Sequence, residues 1–130
     1  MIMPMRAPLN ERQMRQRFWL AAAGSLRAGR AVALAAYAAH ASGLDAETRA
    51  GLSNACLIAL AHGVALAALG PLAVRRMALL GLAAIGLGTL LFTGSVAAAA
   101  LGWGPSTLAP AGGVLMIVGW LAHALGQWRR

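Results

Sequence analysis

Residues 77–102 read MALLGLAAIGLGTLLFTGSVAAAALG. These twenty-six consecutive positions carry no charge, and ~20 apolar residues suffice for an α-helix to cross the ~30 Å hydrocarbon layer of a bilayer. A strand reading fails, because the run lacks period-two alternation and is dominated by Ala, Leu and Gly. A helix suits lipid because it satisfies its own backbone polar groups. Gly81, Gly86, Gly88, Gly94 and Ser95 interrupt the larger side chains. Small residues of this kind let helices approach closely in a solvent that supplies no hydrophobic drive for their association. Two faces emerge at helical spacing, one with Gly86, Thr89 and Thr93 and one with Gly81, Gly88 and Ser95. A helix with two such faces belongs in the middle of a bundle.

The same pattern extends outward in both directions. Downstream, the turn WGPSTLAPAGG leads into a span over roughly 108–127. Upstream, a span over roughly 51–74 contains Pro71 near its end and is closed by Arg75 and Arg76. The polar turn SGLDAET precedes it, and before that a span over roughly 18–42 starts with Phe18 and Trp19 as interfacial aromatics. The expected fold is therefore an all-α membrane protein, a four-transmembrane-helix bundle. Residues 1–17 form a basic N-terminal segment, and 18–130 form a single membrane domain. Composition agrees: 60% of residues are hydrophobic, 11% are charged and mean hydropathy is +0.70, too little polar surface for a water-soluble domain of this length.

All 11 basic residues are Arg, against the acids Glu11, Asp45 and Glu47. The resulting +8 does not read as a nucleic-acid interface, since the arginines flank apolar spans and no recognition motif accompanies them. They read as topology signals. Arg6, Arg12, Arg15, Arg17, Arg75, Arg76, Arg129 and Arg130 fall on one side of the four spans, and Arg49 falls on the other. This imbalance puts both termini in the cytoplasm. The basic start, apolar run and Ala39-His40-Ala41 imitate a cleavable signal peptide, but arginines inside the apolar part argue for an anchor. The single Cys56 excludes an internal disulfide and a multi-cysteine metal site.

The first span is the exception among the four. Its segment LRAGRAVALAAYAAHA, residues 26–41, carries Arg27, Arg30, Tyr37 and His40, which fall within roughly 140° of one helix face. Counted from Phe18, Arg27 lies ~14 Å deep and Arg30 ~18 Å deep. Each costs roughly 2.5–3.5 kcal/mol on the insertion scale, against ~0.3–0.6 kcal/mol returned by each large aliphatic residue. No span contains an acid to compensate. Snorkelling, bilayer thinning or a water-filled crevice would accommodate the charge without function. A partner's carboxylate, or a lipid, quinone or cofactor head group, would give the stripe a binding role, and arginine suits buried pairing with carboxylates.

Four blocks occur in an order and spacing that carry a resemblance: AAYAAHA (35–41), ALAHGVALAALG (59–70), LLFTGSV (90–96) and LAPAGGVLMIVGW (108–120). Together they resemble the small four-span membrane proteins grouped as domain of unknown function 423, or uncharacterised protein family 0382, with a eukaryotic relative described as transmembrane protein 256. The resemblance covers roughly Phe18 to Trp120. It implies the same fold and location and no particular activity, since that family has none established. It also implies histidines at His40 and His62. The chain departs from the family at Leu60 and Ala61, where aromatic and amide residues are usual, and at Arg27 and Arg30, where apolar residues are usual.

Other chemistry is thin. His40, His62 and His123 count to three different depths, which argues against a two-histidine haem site. Interhelical hydrogen bonding is the expected role of His62 and His123. His40, Cys56, Asp45 and Glu47 share the outer level without ligand spacing, so no metal site is expected, nor any cofactor. No serine has a histidine and carboxylate in triad order, so no enzyme is expected. Gly86, Gly94, Gly112, Gly113 and Gly119 are the expected packing glycines. The reading is a non-enzymatic accessory or assembly subunit of a bacterial inner membrane, docking onto a larger membrane complex or forming a homo-oligomer through Arg27, Arg30, Tyr37 and His40. The alternatives are a binder of quinone, lipid or haem and, more weakly, a channel or transporter assembled as an oligomer.

Overall fold

The computed structural model describes residues 10–128 and contains four long helices: α1 (Glu11–His40), α2 (Ala46–Leu69), α3 (Arg76–Ala100) and α4 (Ala109–Trp128). A single 3₁₀ turn, Gly70–Leu72, extends α2, with Pro71 where its missing N–H costs nothing. Among the described residues there is no strand. Short connections give an up-down-up-down order. Glycines with positive φ turn the chain at both far-end connections, Gly43 at 91° and Gly102 at 76°.

Three of the helices, Ala46–Leu72, Arg76–Ala100 and Ala109–Trp128, are long and apolar enough to cross a membrane. The first is long enough but falls short in composition, because Arg27 and Arg30 interrupt it. Its bounds also differ from expectation. The basic residues 11–17 form the first two turns of α1, a single helix of 30 residues. Asn10 caps it by accepting from the Gln13 N–H at 2.8 Å, and no Gly or Pro interrupts residues 11–23. The preceding nine residues lie outside the described range. α2 begins five residues before the expected Gly51, because Asp45 acts as an N-cap rather than as part of a turn.

Packing follows a period of seven. Gly24, Ala31 and Ala38 of α1 are buried against the second helix, which presents Leu52, Ala59 and Leu66 at the same interval. In the other hairpin Gly81 and Gly88 of α3 face Gly119 and Gly112 of α4, and Gly126 faces Ala78. A seven-residue interval drifts only ~20° around a helix and suits left-handed crossing. Many large aliphatic residues point the other way: Leu57, Val64, Leu80, Leu87, Val114 and Leu121 are all exposed. With glycine and alanine lining the closest helix contacts and many leucines and valines on the outside, the surface is far more apolar than that of a water-soluble bundle, and the arrangement suits lipid.

Three seams hold the bundle. The most extensive joins α3 to α4, the next joins α1 to α2, and a smaller one joins α2 to α3; α1 and α3 touch sparsely. The core at the third seam comprises Leu66, Ala73, Ala78, Leu79, Leu82 and Ile85. Since the second helix lies behind both, the first and third leave a groove between them along the outer surface. Arg27 and Arg30 of α1 border that groove.

Candidate functional site

The arginine stripe divides when folded. On α1 the buried line Gly24–Ala31–Ala38 meets α2, and Arg27 lies ~40° to one side of it, toward α3. Its guanidinium turns into the bundle and rests on Gly86, where an added Cβ would lie 2.6 Å from Nη1. Gly86 is thus a packing glycine of an unexpected kind, leaving room for a charged group rather than for another backbone. Arg30, Tyr37 and His40 are exposed. The His40 Nδ1 bonds to its own helix at the Ala36 carbonyl, 2.9 Å away.

Arg27 and Arg30 form one wall of a crevice of about 110 Å³, completed by Ala31, Leu34, Ala59 and, from α3, Thr89, Leu90 and Thr93. Thr89 satisfies its hydroxyl by donating to the Ile85 carbonyl at 2.7 Å, with the Met116 sulfur 3.3 Å away. The Thr93 hydroxyl oxygen is buried and has no hydrogen-bond partner. The crevice therefore presents two cations and one unsatisfied hydroxyl. Among the described residues the acids are Glu11, Asp45 and Glu47, all at helix ends. Along their shared helix Glu11 lies ~24 Å from Arg27. Small-molecule sites usually occupy about 300–1,000 Å³, so this space suits a carboxylate or the edge of a head group better than a whole quinone ring or haem.

The histidines require a correction. His62 and His123 lie at nearly one level, ~24 Å along α2 and ~21 Å along α4 from their starts at the same end, and both adjoin Trp120. The expected difference in depth came from starting the second helix at Gly51 instead of Ala46. Trp120 donates its indole N–H to His62 Nε2 at 3.1 Å, and His62 Nδ1 pairs with the Ile58 carbonyl at 2.7 Å. These contacts use both ring nitrogens in the neutral Nδ1–H tautomer. Trp120 also lies edge-on to His123, with centroids 6.1 Å apart. His123 is only 9% exposed, and its Nδ1 is buried with no hydrogen-bond partner. His62 thus has the interhelical hydrogen bond, and His123 has an aromatic contact in place of one.

Two of the five expected packing glycines do not pack. A Cβ on Gly94 or Gly113 would meet nothing within 4 Å, because both face outward. A Cβ on Gly112 would lie 2.5 Å from the Phe92 nitrogen, and one on Gly119 2.7 Å from the Gly81 oxygen. Glycine count alone did not separate the faces; the seven-residue interval from Gly112 does. Arg49, read only as the odd charge on the far side, is a cap. Its guanidinium donates to the Ala38 carbonyl and, at 2.9 Å, to the Ala41 carbonyl, closing the C-terminal end of the first helix. A cation belongs there, at the negative end of the helix dipole.

Cys56 is buried beside Ala38 and Leu52, as a small apolar residue would be. Among the described residues no three His, Cys, Asp or Glu side chains converge as a metal site would need. Comparison of the chain with models of protein families, with curated proteins and with solved structures returns no match.

Proposed function

We propose that the chain is a small multi-pass protein of a bacterial inner membrane, and that it serves as a non-enzymatic accessory or assembly subunit docking onto a larger membrane complex through the Arg27/Arg30 edge of α1. In this reading α1 is a fourth span, completed in the membrane by its neighbours. Both termini are cytoplasmic, since Arg12, Arg15, Arg17, Arg75 and Arg76 gather at one end of the bundle and Arg49 at the other. The four sequence blocks that resemble uncharacterised protein family 0382 support the same architecture.

The observation that carries the docking role is the crevice with two guanidiniums and no carboxylate of its own. Its size fits one aspartate or glutamate side chain from a neighbouring helix. A second copy of this chain cannot supply that group at the right level, because its own acids lie at helix ends. The complement is therefore a different protein with an acid inside a transmembrane helix. Arginine paired with carboxylate in a bidentate geometry is among the stronger charged contacts.

The test compares proteins that copurify in mild detergent with the wild type and with Arg27→Leu/Arg30→Leu. The double variant should lose its specific partner while keeping full helicity. Recovery of the same partner by the folded double variant would falsify the docking role. An absorption spectrum of the purified protein decides the haem alternative, and mass spectrometry of a solvent extract decides quinone.

A further inference from the structure

Nearer the basic end of the bundle, the outer groove between α1 and α3 widens to about 540 Å³. Its α1 wall is Gln16, Trp19, Leu20 and Ala23, and its α3 wall begins at Arg76 and continues through Leu79 and Leu80. The two walls run in the same direction, so the polar groups Gln16 and Arg76 lie together at one mouth and the apolar residues follow in order above them. The groove spans ~10 Å along the helices from its polar mouth to Ala23 and Ala83, and its apolar part ~6 Å. Trp19 and Leu80 are exposed on its flanks, while Leu79 is buried at its base.

Charge at the mouth has one sign. Arg75 adjoins Arg76, the first turn of α3 contains no acid, and no side chain caps the helix start. Glu11 is the only acid in the described part of this end, and it lies five residues from Gln16 on the same helix. A cationic mouth at the end of an apolar groove matches the chemistry of a bilayer lipid: a phosphate head group joined to an acyl chain. Basic pockets between helices at a membrane surface select anionic lipids in this way.

We propose that this groove is a binding site for an anionic glycerophospholipid, with its phosphate on Arg76 and Gln16 and one acyl chain against Leu20, Leu79 and Leu80. The site rests on the membrane placement proposed above but not on the docking role. It is separate from the Arg27/Arg30 crevice, which uses α3 from Thr89 upward.

Trp19 reports occupancy directly, because brominated acyl chains quench indole fluorescence on contact. The full-length protein is reconstituted in phosphatidylcholine vesicles containing brominated-chain phosphatidylglycerol or, at equal mole fraction, brominated-chain phosphatidylcholine. The Trp19 signal is taken as the difference from Trp19→Phe. Phosphatidylglycerol should be enriched about fivefold at Trp19, the ratio given by ~1 kcal/mol per arginine at an anionic surface. Arg76→Gln should abolish that excess and Arg76→Lys should retain most of it. Equal quenching by the two lipids, or an excess that survives in Arg76→Gln, overturns the lipid site and leaves the membrane placement standing. Absence of quenching by either lipid overturns both.

Discussion

The two hairpins of this bundle use the same steric device and differ in charge. In the α3/α4 hairpin, glycines at intervals of seven let the backbones touch, and no ionisable side chain but His123 enters the seam. In the α1/α2 hairpin, Gly24 and Gly63 do the same work: a Cβ on Gly24 would lie 2.6 Å from the Gly63 oxygen. Yet α1 also carries Arg27 and Arg30 along the edge of that seam. The α3/α4 hairpin is specified by shape and is complete in itself. The other has the same shape and an electrostatic demand that the chain does not meet.

The largest effect expected from this contrast concerns insertion. At roughly 2.5–3.5 kcal/mol for each central arginine, Arg27→Leu/Arg30→Leu should favour insertion of α1 by about 5–7 kcal/mol. A glycosylation-mapping assay on residues 11–40 in a host protein measures it. Wild-type α1 should insert poorly alone and better when α2 follows. Full insertion of the isolated wild-type helix would remove the distinction between the hairpins.

Next come the seams. Gly119→Ala should destabilise the bundle by about 1–3 kcal/mol, because a methyl there meets the Gly81 backbone and the Ile85 side chain. Gly24→Ala should cost a similar amount, since it too meets backbone on the facing helix. Gly113→Ala, which meets nothing, should be neutral or stabilising by up to ~1 kcal/mol through helix propensity. Gly86→Ala tests the crevice instead. It displaces the end of a flexible arginine, so stability should change little while the Arg27 position changes. Detergent-resistant thermal unfolding ranks all four, and an equal loss at Gly113 and Gly119 would contradict the assigned faces.

How far the sequence discloses these features depends on the range of the interaction. Three of the four helices follow from apolar length, and the two faces of α3 follow from helical phase, since both are local. Boundaries suffered where one residue had two readings. Asp45 reads as turn composition and is an N-cap, and the resulting five-residue error separates the expected levels of His62 and His123 by several ångströms. The inward turn of Arg27 is not written in α1 at all. It depends on a missing Cβ at Gly86, nearly sixty residues away, and only a three-dimensional arrangement brings the two together.

A smaller effect tests whether the hairpins are joined by more than apolar contact. The bond from Trp120 to His62 links the second and fourth helices. Hydrogen bonds between transmembrane helices average only ~0.6 kcal/mol, so the coupling in a double-mutant cycle with His62→Phe and Trp120→Phe should be about that size. A coupling indistinguishable from zero would mean that the aromatic packing, with centroids 6.0 Å apart, acts without the bond.

The smallest effect is confined to the connection between α1 and α2. Asp45 accepts from the Thr48 backbone N–H at 2.8 Å and from the Thr48 hydroxyl at 2.9 Å. These bonds favour the carboxylate and hold its pKa below the ordinary value of 3.8. A group whose pKa is lower when folded adds stability that is fully present above its unfolded pKa. That stability is lost as pH falls through the folded value. The stabilisation from Asp45 should therefore be present in full and independent of pH near neutrality, and weaken in acid, starting near the ordinary aspartate range. Asp45→Asn keeps a good capping acceptor that does not titrate, so it should flatten this part of the acid limb. Both proteins retain Glu11 and Glu47, so the difference between their melting curves isolates Asp45. The sharpening outcome is a difference that grows as pH falls, because it ties the closure of the charged hairpin to its connecting turn. Parallel melting curves at every pH would show that this hairpin, like the other, is held by its seam alone.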